Sequence, residues 1–319
     1  METITGTDIE HAIGLLSSGE VVAIPTETVY GLAANALDAH AVTKIFEIKE
    51  RPFFDPLIVH VQAIEAIKKY VVEIPQWAKK LAAAFMPGPV TLLLNKNELI
   101  PDIVTAGLPR VGIRIPAHPI AIDLLAHLEF PLAAPSANPF GYISPTTAQH
   151  VRDQLGGRIP YILDGGACRV GVESTIIGEN ENGLPTIFRF GGMSVEEIEA
   201  IIGACEVQTH SSSNPASPGK LENHYAPKHP LIFGEMDFKN FLPSEIGIIS
   251  FDREYDIVPS EKQRILSPAG DLREAAQNIF SAMRSLDSMD IKIIFAEHFP
   301  ETGLGRAIND RLKRASVVR

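Results

Sequence analysis

Lys49-Glu50-Arg51-Pro52 places two cations in a bend that leaves a helix and, between Pro52 and Pro56, must run extended. Cations at a helix C-terminus favour its dipole, so helix stabilisation is one use. Two cations in a proline-braced bend also suit a polyphosphate. Arg110 and Arg114 flank Val111-Gly112-Ile113. In a strand of period two, residues 110, 112 and 114 share a face, and Gly112 leaves room between the guanidinium groups. The plain alternative is a surface strand with exposed arginines. Polar loops accompany these cations. Pro25-Thr26-Glu27-Thr28-Val29-Tyr30-Gly31 follows an apolar strand and either grips a small polar substrate or forms a self-capped turn. Ala134-Pro135-Ser136-Ala137-Asn138, Gly141-Tyr142-Ile143-Ser144-Pro145-Thr146 and Val172-Glu173-Ser174-Thr175 are dense in hydroxyl and amide groups, a composition fit for ribose, phosphate or carboxylate. His60 lies on the next strand, within reach of the same strand-end cluster, and Arg189 closes a further strand. Pro218-Gly219-Lys220 and His224-Tyr225-Ala226-Pro227 follow a Ser/Pro-rich stretch and read as a lid.

The elements that must position these groups alternate. Helices are expected at residues 9–16 (capped by Thr7 or Asp8), 41–50 (entered through Asp38), 63–70, 75–85, 119–128 and 146–155. Strands are expected at 20–24, 56–61, 90–94, 111–115, 131–134, 161–163, 174–178 and 186–190. Adjacent strands in mixed order predict a twisted, partly parallel α/β sheet. Gln208 to Lys220, QTHSSSNPASPGK, is the clearest boundary. Beyond it, strands at 231–233, 246–250 and 291–296 around a helix at 271–286 predict a small three-layer α/β domain.

Composition bounds the function. At 319 residues, 45% hydrophobic and 21% charged, the chain suits about two globular domains. Nothing approaches an 18-residue uncharged apolar run, and the acidic N-terminus does not read as a secretory signal. Cys168 and Cys205 have no metal or redox spacing and read as reduced thiols. A net charge of −11 argues against non-specific nucleic-acid or anionic-membrane binding. Residues 1–206 carry 14 Lys and Arg against 24 Asp and Glu, so cations within loop motifs there gain weight. GxxxxGK[ST], GxGxxG, HExxH, CxxC pairs and GxSxG are all missing, which disfavours P-loop, dinucleotide, zinc-hydrolase and serine-esterase chemistry.

PTETVYGL, KER-P, PLIVH, PGPVT, VGIRIP, APSAN, SPT, DGG, GVEST and R-F-G occur in this order across residues 25–191. Together they resemble the YrdC-type threonylcarbamoyl-AMP synthases, and PG-x4-HYAP with GLGRAINDRL resembles the two-domain version. The resemblance implies an α/β chain: a YrdC-like twisted mixed sheet with helices over residues 1–206, a linker or lid over 207–230, and a small Rossmann-like domain over 231–319. It implies that ATP, L-threonine and bicarbonate become threonylcarbamoyl-AMP and pyrophosphate, with magnesium on the ATP. The product would feed threonylcarbamoyladenosine modification of tRNA in the cytoplasm, through downstream tRNA threonylcarbamoyl-transfer proteins, with weak or no direct tRNA binding. Matching positions assign threonine to Thr28, His60, Arg114, Ala134 and Ser174. ATP falls to Lys49, Arg51, Arg110, Ser136, Asn138, Ser144, Arg189 and Tyr225, with Lys49 and Arg51 as the catalytic cations. Their places at element ends predict that alanine variants of Lys49, Arg51 and Arg189 lose activity and little stability.

One position departs from the pattern: Asp55-Pro56-Leu57 stands where the family usually has Asn-Pro-Leu. Either Asp55 faces the triphosphate and repels it, or magnesium lies between them; the second is preferred, because an uncompensated anion there is costly. Two other functions are weighed against synthesis. A non-catalytic RNA-binding module is disfavoured by the acidic first half. Carbamoyl transfer of the hydrogenase-maturation kind comes with zinc-finger cysteine pairs, which this chain lacks.

Overall fold

Short strands with apolar side chains on both faces force a sheet covered on two sides. The computed structural model describes residues 1–209 and 225–316. The larger sheet is built from β1 (Ile4–Gly6), β2 (Val22–Ile24), β3 (Gly31–Asn35), β4 (Ile58–His60), β5 (Val90–Asn95), β6 (Arg110–Arg114), β7 (Leu132–Ala133), β8 (Tyr161–Leu163), β9 (Thr175–Glu179), β10 (Pro185–Arg189) and β11 (Glu206–Val207). Its strand order is β1-β8-β2-β3-β7-β4-β6-β5-β9-β10-β11. Pairing is mixed: β4 and β6 run parallel, whereas β2–β3, β3–β7, β5–β6 and β9–β10 run antiparallel.

Helices α1 (Ile9–Ser17), α2 (Ala39–Lys49), α3 (Ile64–Ile67), α4 (Gln76–Phe85), α5 (Asp102–Thr105), α6 (Pro119–Ala126), α7 (Ala148–Leu155) and α8 (Val195–Ile202) accompany this sheet. Alternate residues divide between its faces, as the two-residue period of a strand requires. Ala23, Leu32 and Ala34 join Val42, Phe46 and Leu81 in one core, while Val22, Ile24 and Ala33 join Leu16, Leu124 and Leu125 in another. The smaller sheet is wholly parallel, with β12 (Leu231–Phe233), β13 (Ile246–Ser250), β14 (Gln263–Ile265) and β15 (Ile293–Ala296) in the order β12-β15-β13-β14. Helices α9 (Leu272–Asp287) and α10 (Gly305–Ala315) pack with it.

The expected mixed α/β sheet and small α/β unit are present, with Asp8 and Asp38 as helix caps. The small unit's third layer is made of loop side chains such as Phe238, Phe241 and Tyr255, because α9 and α10 share one core. Elements missed by the periodicity are β1, β3, α5, α8, β11, β14 and α10. A Ser194–Glu197 capping box marks α8 and was readable. β3, sequence GLAAN, lacks β-branched residues and is imposed by pairing with β2 and β7. α10 is rich in charge; its small apolar stripe of Ala307, Ile308, Leu312 and Ala315 is buried. The helix expected over 63–70 shrinks to the single turn Ile64–Ile67.

The two sheets are tied together through α9 and α10. Val29, Ile143 and Val172 of the first unit share a core with Phe280, Ile294 and Ile308 of the second. Gly171, at φ +77°, is required by this contact, since a Cβ there would lie 2.4 Å from the Gln277 Cα. Arg284 donates to the Ile143 and Ser144 carbonyls, and the Tyr142 hydroxyl donates to Asp287.

Candidate functional site

The loops that follow the strands of the larger sheet close around one cavity of about 50 Å³. Its wall includes Thr28, His60, Arg114, Ala134 and Ser174, brought together from five segments. Thr26 holds the first loop: its hydroxyl donates to the Val29 carbonyl at 2.6 Å and accepts from the Thr28 and Val29 amides at 3.2 Å. The self-capped turn and the binding loop are therefore one structure. The turn aims the Thr28 hydroxyl at Arg114, which donates to it at 3.1 Å.

Arg114 is 3% exposed and pairs with Glu27 at 2.6 Å, so the expectation of exposed strand arginines fails here. Parallel pairing of β4 with β6 sets His60 beside Arg114. Burial first, then the Arg114 charge, pushes the imidazole down to about 3, so the ring is neutral near pH 7. Three buried polar atoms in this cluster have no hydrogen-bond partner: Glu27 Oε2, Arg114 Nε and His60 Nδ1. Orphaned buried groups are uncommon and call for an explanation. A small polar ligand supplies one.

The cations expected to meet phosphate lie on the same side. Helix α2 ends at Glu50, whose left-handed backbone (φ 55°) turns the chain and sends Arg51 inward. Arg51 lines the cavity and donates to the Asp55 and Pro56 carbonyls at 3.1 and 2.9 Å. Lys49, 1% exposed, donates to the Ser136 and Asn138 carbonyls at 2.5 Å each and so braces the loop rather than lining the cavity. Burial lowers its affinity for a proton, with Arg51 adding to the effect. Arg189 lines the cavity and clamps Ser174, donating to its carbonyl at 2.9 Å and its hydroxyl at 3.1 Å. Ser174 also shares a 2.7 Å hydrogen bond with Thr91.

Of the remaining positions, Ser136 and Tyr225 line the cavity. Tyr225 is 1% exposed and sits in left-handed backbone at φ 67°. Asn138 and Ser144 stand one step back; Asn138 donates to the Pro139 and Tyr142 carbonyls, and Ser144 donates to Glu173 at 2.6 Å. Arg110 is separate: it donates to the Glu179 carbonyl at 2.6 Å, lies over the Phe188 ring and lines a small cleft with Trp77. Gly112 does not make room for the two arginines, because its face is occupied by Thr91 and Ile58. His224 and Pro218-Gly219-Lys220 lie outside the described residues.

Two expectations change. Asp55 is not among the residues that line the cavity. It is fully buried behind Arg51, 2.8 Å from that guanidinium, because the proline-braced bend turns it back on the helix end. The alanine variants of Lys49, Arg51 and Arg189 are not expected to leave stability untouched, since all three are buried and bond backbone carbonyls. Residue patterns alone missed Glu27, Glu173 and Arg311. The two glutamates stand inside motifs that were singled out, and so does Arg311, in GLGRAINDRL of the second unit.

Among the described residues, no group of three or more His, Cys, Asp or Glu side chains is placed to hold a metal ion. Glu173, a carboxylate on the cavity wall, is already engaged by Ser144 and by Arg311 at 2.9 Å. No helix among the described residues is long and apolar enough to cross a membrane.

A family model described as telomere recombination, covering Sua5, YciO and YrdC proteins, matches residues 14–191. A second, for the C-terminal domain of threonylcarbamoyl-AMP synthase, matches residues 193–317. The threonylcarbamoyl-AMP synthase of Pyrococcus abyssi is 41% identical, over 100% of this chain and 96% of its own length. That of Bacillus subtilis is 40% identical, over 97% of this chain and 92% of its own. The crystal structure of P. abyssi Sua5 complexed with L-threonine matches with a TM-score of 0.90 at 39% identity, covering 99% of this chain and 97% of that one.

Proposed function

The chain belongs to the threonylcarbamoyl-AMP synthase family, matched in both of its parts, and we propose that it forms threonylcarbamoyl-AMP and pyrophosphate from ATP, L-threonine and bicarbonate. The observation that carries this reading is the convergence of Thr28, His60, Arg114, Ala134 and Ser174 on one buried cavity with unpaired polar atoms.

The chemistry asks for positioning and charge. Threonine's amine and bicarbonate condense, with loss of water, to an N-carboxylate. One of its oxygens attacks the α-phosphorus of ATP, the bond to the bridging oxygen breaks, and pyrophosphate leaves. The nucleophile belongs to the substrate, so the chain needs to hold two anions together and neutralise growing phosphate charge. Arg114 and the Thr28 hydroxyl are placed to take the threonine carboxylate, and neutral His60 offers a ring nitrogen beside them. Arg51 and Arg189 face the triphosphate, while Lys49 keeps the Ser136–Asn138 loop in place. Magnesium on the triphosphate supplies further charge neutralisation. A cavity of about 50 Å³ holds a few waters, not a nucleotide, so its wall, Tyr225 included, must open for ATP to enter. A cytoplasmic location and transfer of the product to tRNA by partner proteins belong to the same reading.

Mass spectrometry of the full chain incubated with ATP, threonine and bicarbonate tests it. The adenylate is expected only when all three are present, with equimolar pyrophosphate. Pyrophosphate release that ignores threonine would overturn the assignment.

A further inference from the structure

Glu173 is a problem for any nucleotide site. It lies on the cavity wall, 7% exposed, where a triphosphate must come close. A bare carboxylate there would oppose the ligand, and burial would disfavour its charge. Its surroundings answer both difficulties. Oε1 accepts the Ser144 hydroxyl at 2.6 Å, and Oε2 accepts the Arg311 Nε at 2.9 Å. Arg311 comes from α10, in the last part of the second unit, and is fully buried although it is one of the largest side chains in the protein. Its other nitrogens are also committed, to Asp310 at 2.6 Å and to the Phe190 carbonyl at 2.8 Å. The guanidinium further lies 5.2 Å from the centre of the Tyr225 ring. Bonds to Asp310 and Phe190 fix the direction of Arg311, and Arg311 in turn fixes Glu173.

We propose that Arg311 is a positioning residue of the nucleotide site, supplied by the second domain: it holds and neutralises a carboxylate on the cavity wall so that a triphosphate can bind beside it. The proposal rests on the adenylating role given above. Burial raises the affinity of Glu173 for a proton, but Arg311, followed by Arg189 and the Ser144 hydroxyl, outweighs it and holds the carboxylate at about 2. The groups facing Glu173 are Ser144, Arg311, Arg189 and Tyr225, with Asp310 behind Arg311. Arg311 is thus the largest single source of the compensating charge, and it comes from the other domain.

Calorimetric titration of the full-length protein with ATP and, separately, with threonine tests this. Arg311→Met is expected to weaken ATP binding by about tenfold or more, because a lone buried anion is left at the wall, and to change threonine binding by less than about twofold. The ATP defect should shrink as pH falls, because Glu173 freed from Arg311 takes up a proton more readily. Adding Glu173→Gln to Arg311→Met should restore ATP binding to within about threefold of the parent. Equal losses for ATP and threonine, independent of pH and not relieved by Glu173→Gln, would show that Arg311 only holds the domains together. Should Arg311→Met not fold, the paired Arg311→Met and Glu173→Gln variant, which leaves no lone buried carboxylate, decides: it is expected within about threefold of the parent for ATP, and a tenfold loss there overturns the proposal. A parent protein that binds ATP but makes no adenylate would end the functional reading and leave these titrations valid. A parent that binds no ATP would end the inference.

Discussion

Two sets of strand ends, both places where α/β sheets put ligands, differ sharply in this molecule. At the smaller parallel sheet the polar groups satisfy one another. Glu297 accepts from the Phe251 amide, from the Tyr255 hydroxyl at 2.8 Å and from Arg253 at 3.3 Å. Ser250 donates to the Arg253 carbonyl at 2.6 Å, and Gln263 bonds the Tyr255 amide and the Tyr255 and Val258 carbonyls. At the larger sheet the polar groups are as deeply buried but incompletely hydrogen-bonded, with atoms of Glu27, Asp55, His60, Arg114, His118 and Asn138 left over. Among the described residues, every such unpaired buried side-chain atom lies in the first unit. Each orphan costs on the order of 1–3 kcal/mol, and those of His60 and Arg114 stand on the cavity wall, where a ligand would take up the bonds. The second unit has spent its polar groups on its own structure, and what it lends to the site is the guanidinium of Arg311.

The contrast can be broken most forcefully at Arg114. Arg114→Met removes the partner of a carboxylate that is 2% exposed and a donor for the amino-acid ligand. Breaking such a pair is expected to cost about 3–5 kcal/mol of stability, and product formation by the folded fraction should fall on the order of 10²–10³-fold. Thermal unfolding alongside single-turnover adenylate formation reads both, and a variant of parental stability would place the Glu27–Arg114 pair in solvent.

His60 sharpens the same contrast through pH. Its folded value of about 3 lies below the unfolded 6.5, so the unfolded chain takes up the proton first. Stability is therefore present above pH 6.5 and falls as pH drops toward 3, by up to about 1.4 kcal/mol per unit from this group. His150, pushed to about 4 mainly by burial, acts with the same sign. Unfolding midpoints between pH 7 and pH 5 should decline less steeply in His60→Asn, and an unchanged slope would mean that the ring is not buried as described.

In the second unit the expected effect is on stability alone. Glu297→Gln should cost about 1–3 kcal/mol, because it disturbs three hydrogen bonds, and leave ATP and threonine affinities within about twofold. A selective loss of either ligand would put binding chemistry in the smaller sheet after all. On metal dependence the smallest effect is expected at Asp55, although neutralising one partner of the buried Arg51–Asp55 pair costs stability. Because this carboxylate faces Arg51 and not the cavity, Asp55→Asn should alter the magnesium concentration for half-maximal activity by less than about twofold. A larger shift would return Asp55 to the metal.

Much of this was legible without coordinates because it is local. Thr28, His60, Arg51 and Arg189 sit next to prolines, glycines or strand ends whose chemistry announces a turn, and the Asp8 and Asp38 caps are four-residue patterns. Apolar alternation marked most strands of the larger sheet and three of the four in the smaller, since period two follows from the pleat. The ten ordered motifs pointed to the family. Other features were decided by tertiary packing. β3 exists because β2 and β7 flank it. Arg110 and Arg114 share a strand face, yet one joins the cavity and the other a separate cleft, according to what Glu179 and Glu27 offer them. Asp55 turned inward because Arg51 was there to receive it. Arg311, 138 positions along the chain from Glu173, meets it only once α10 has packed against the first unit. Spacing rules reach across one turn or one strand; which distant charge will neutralise a buried one depends on how two separately formed cores come together.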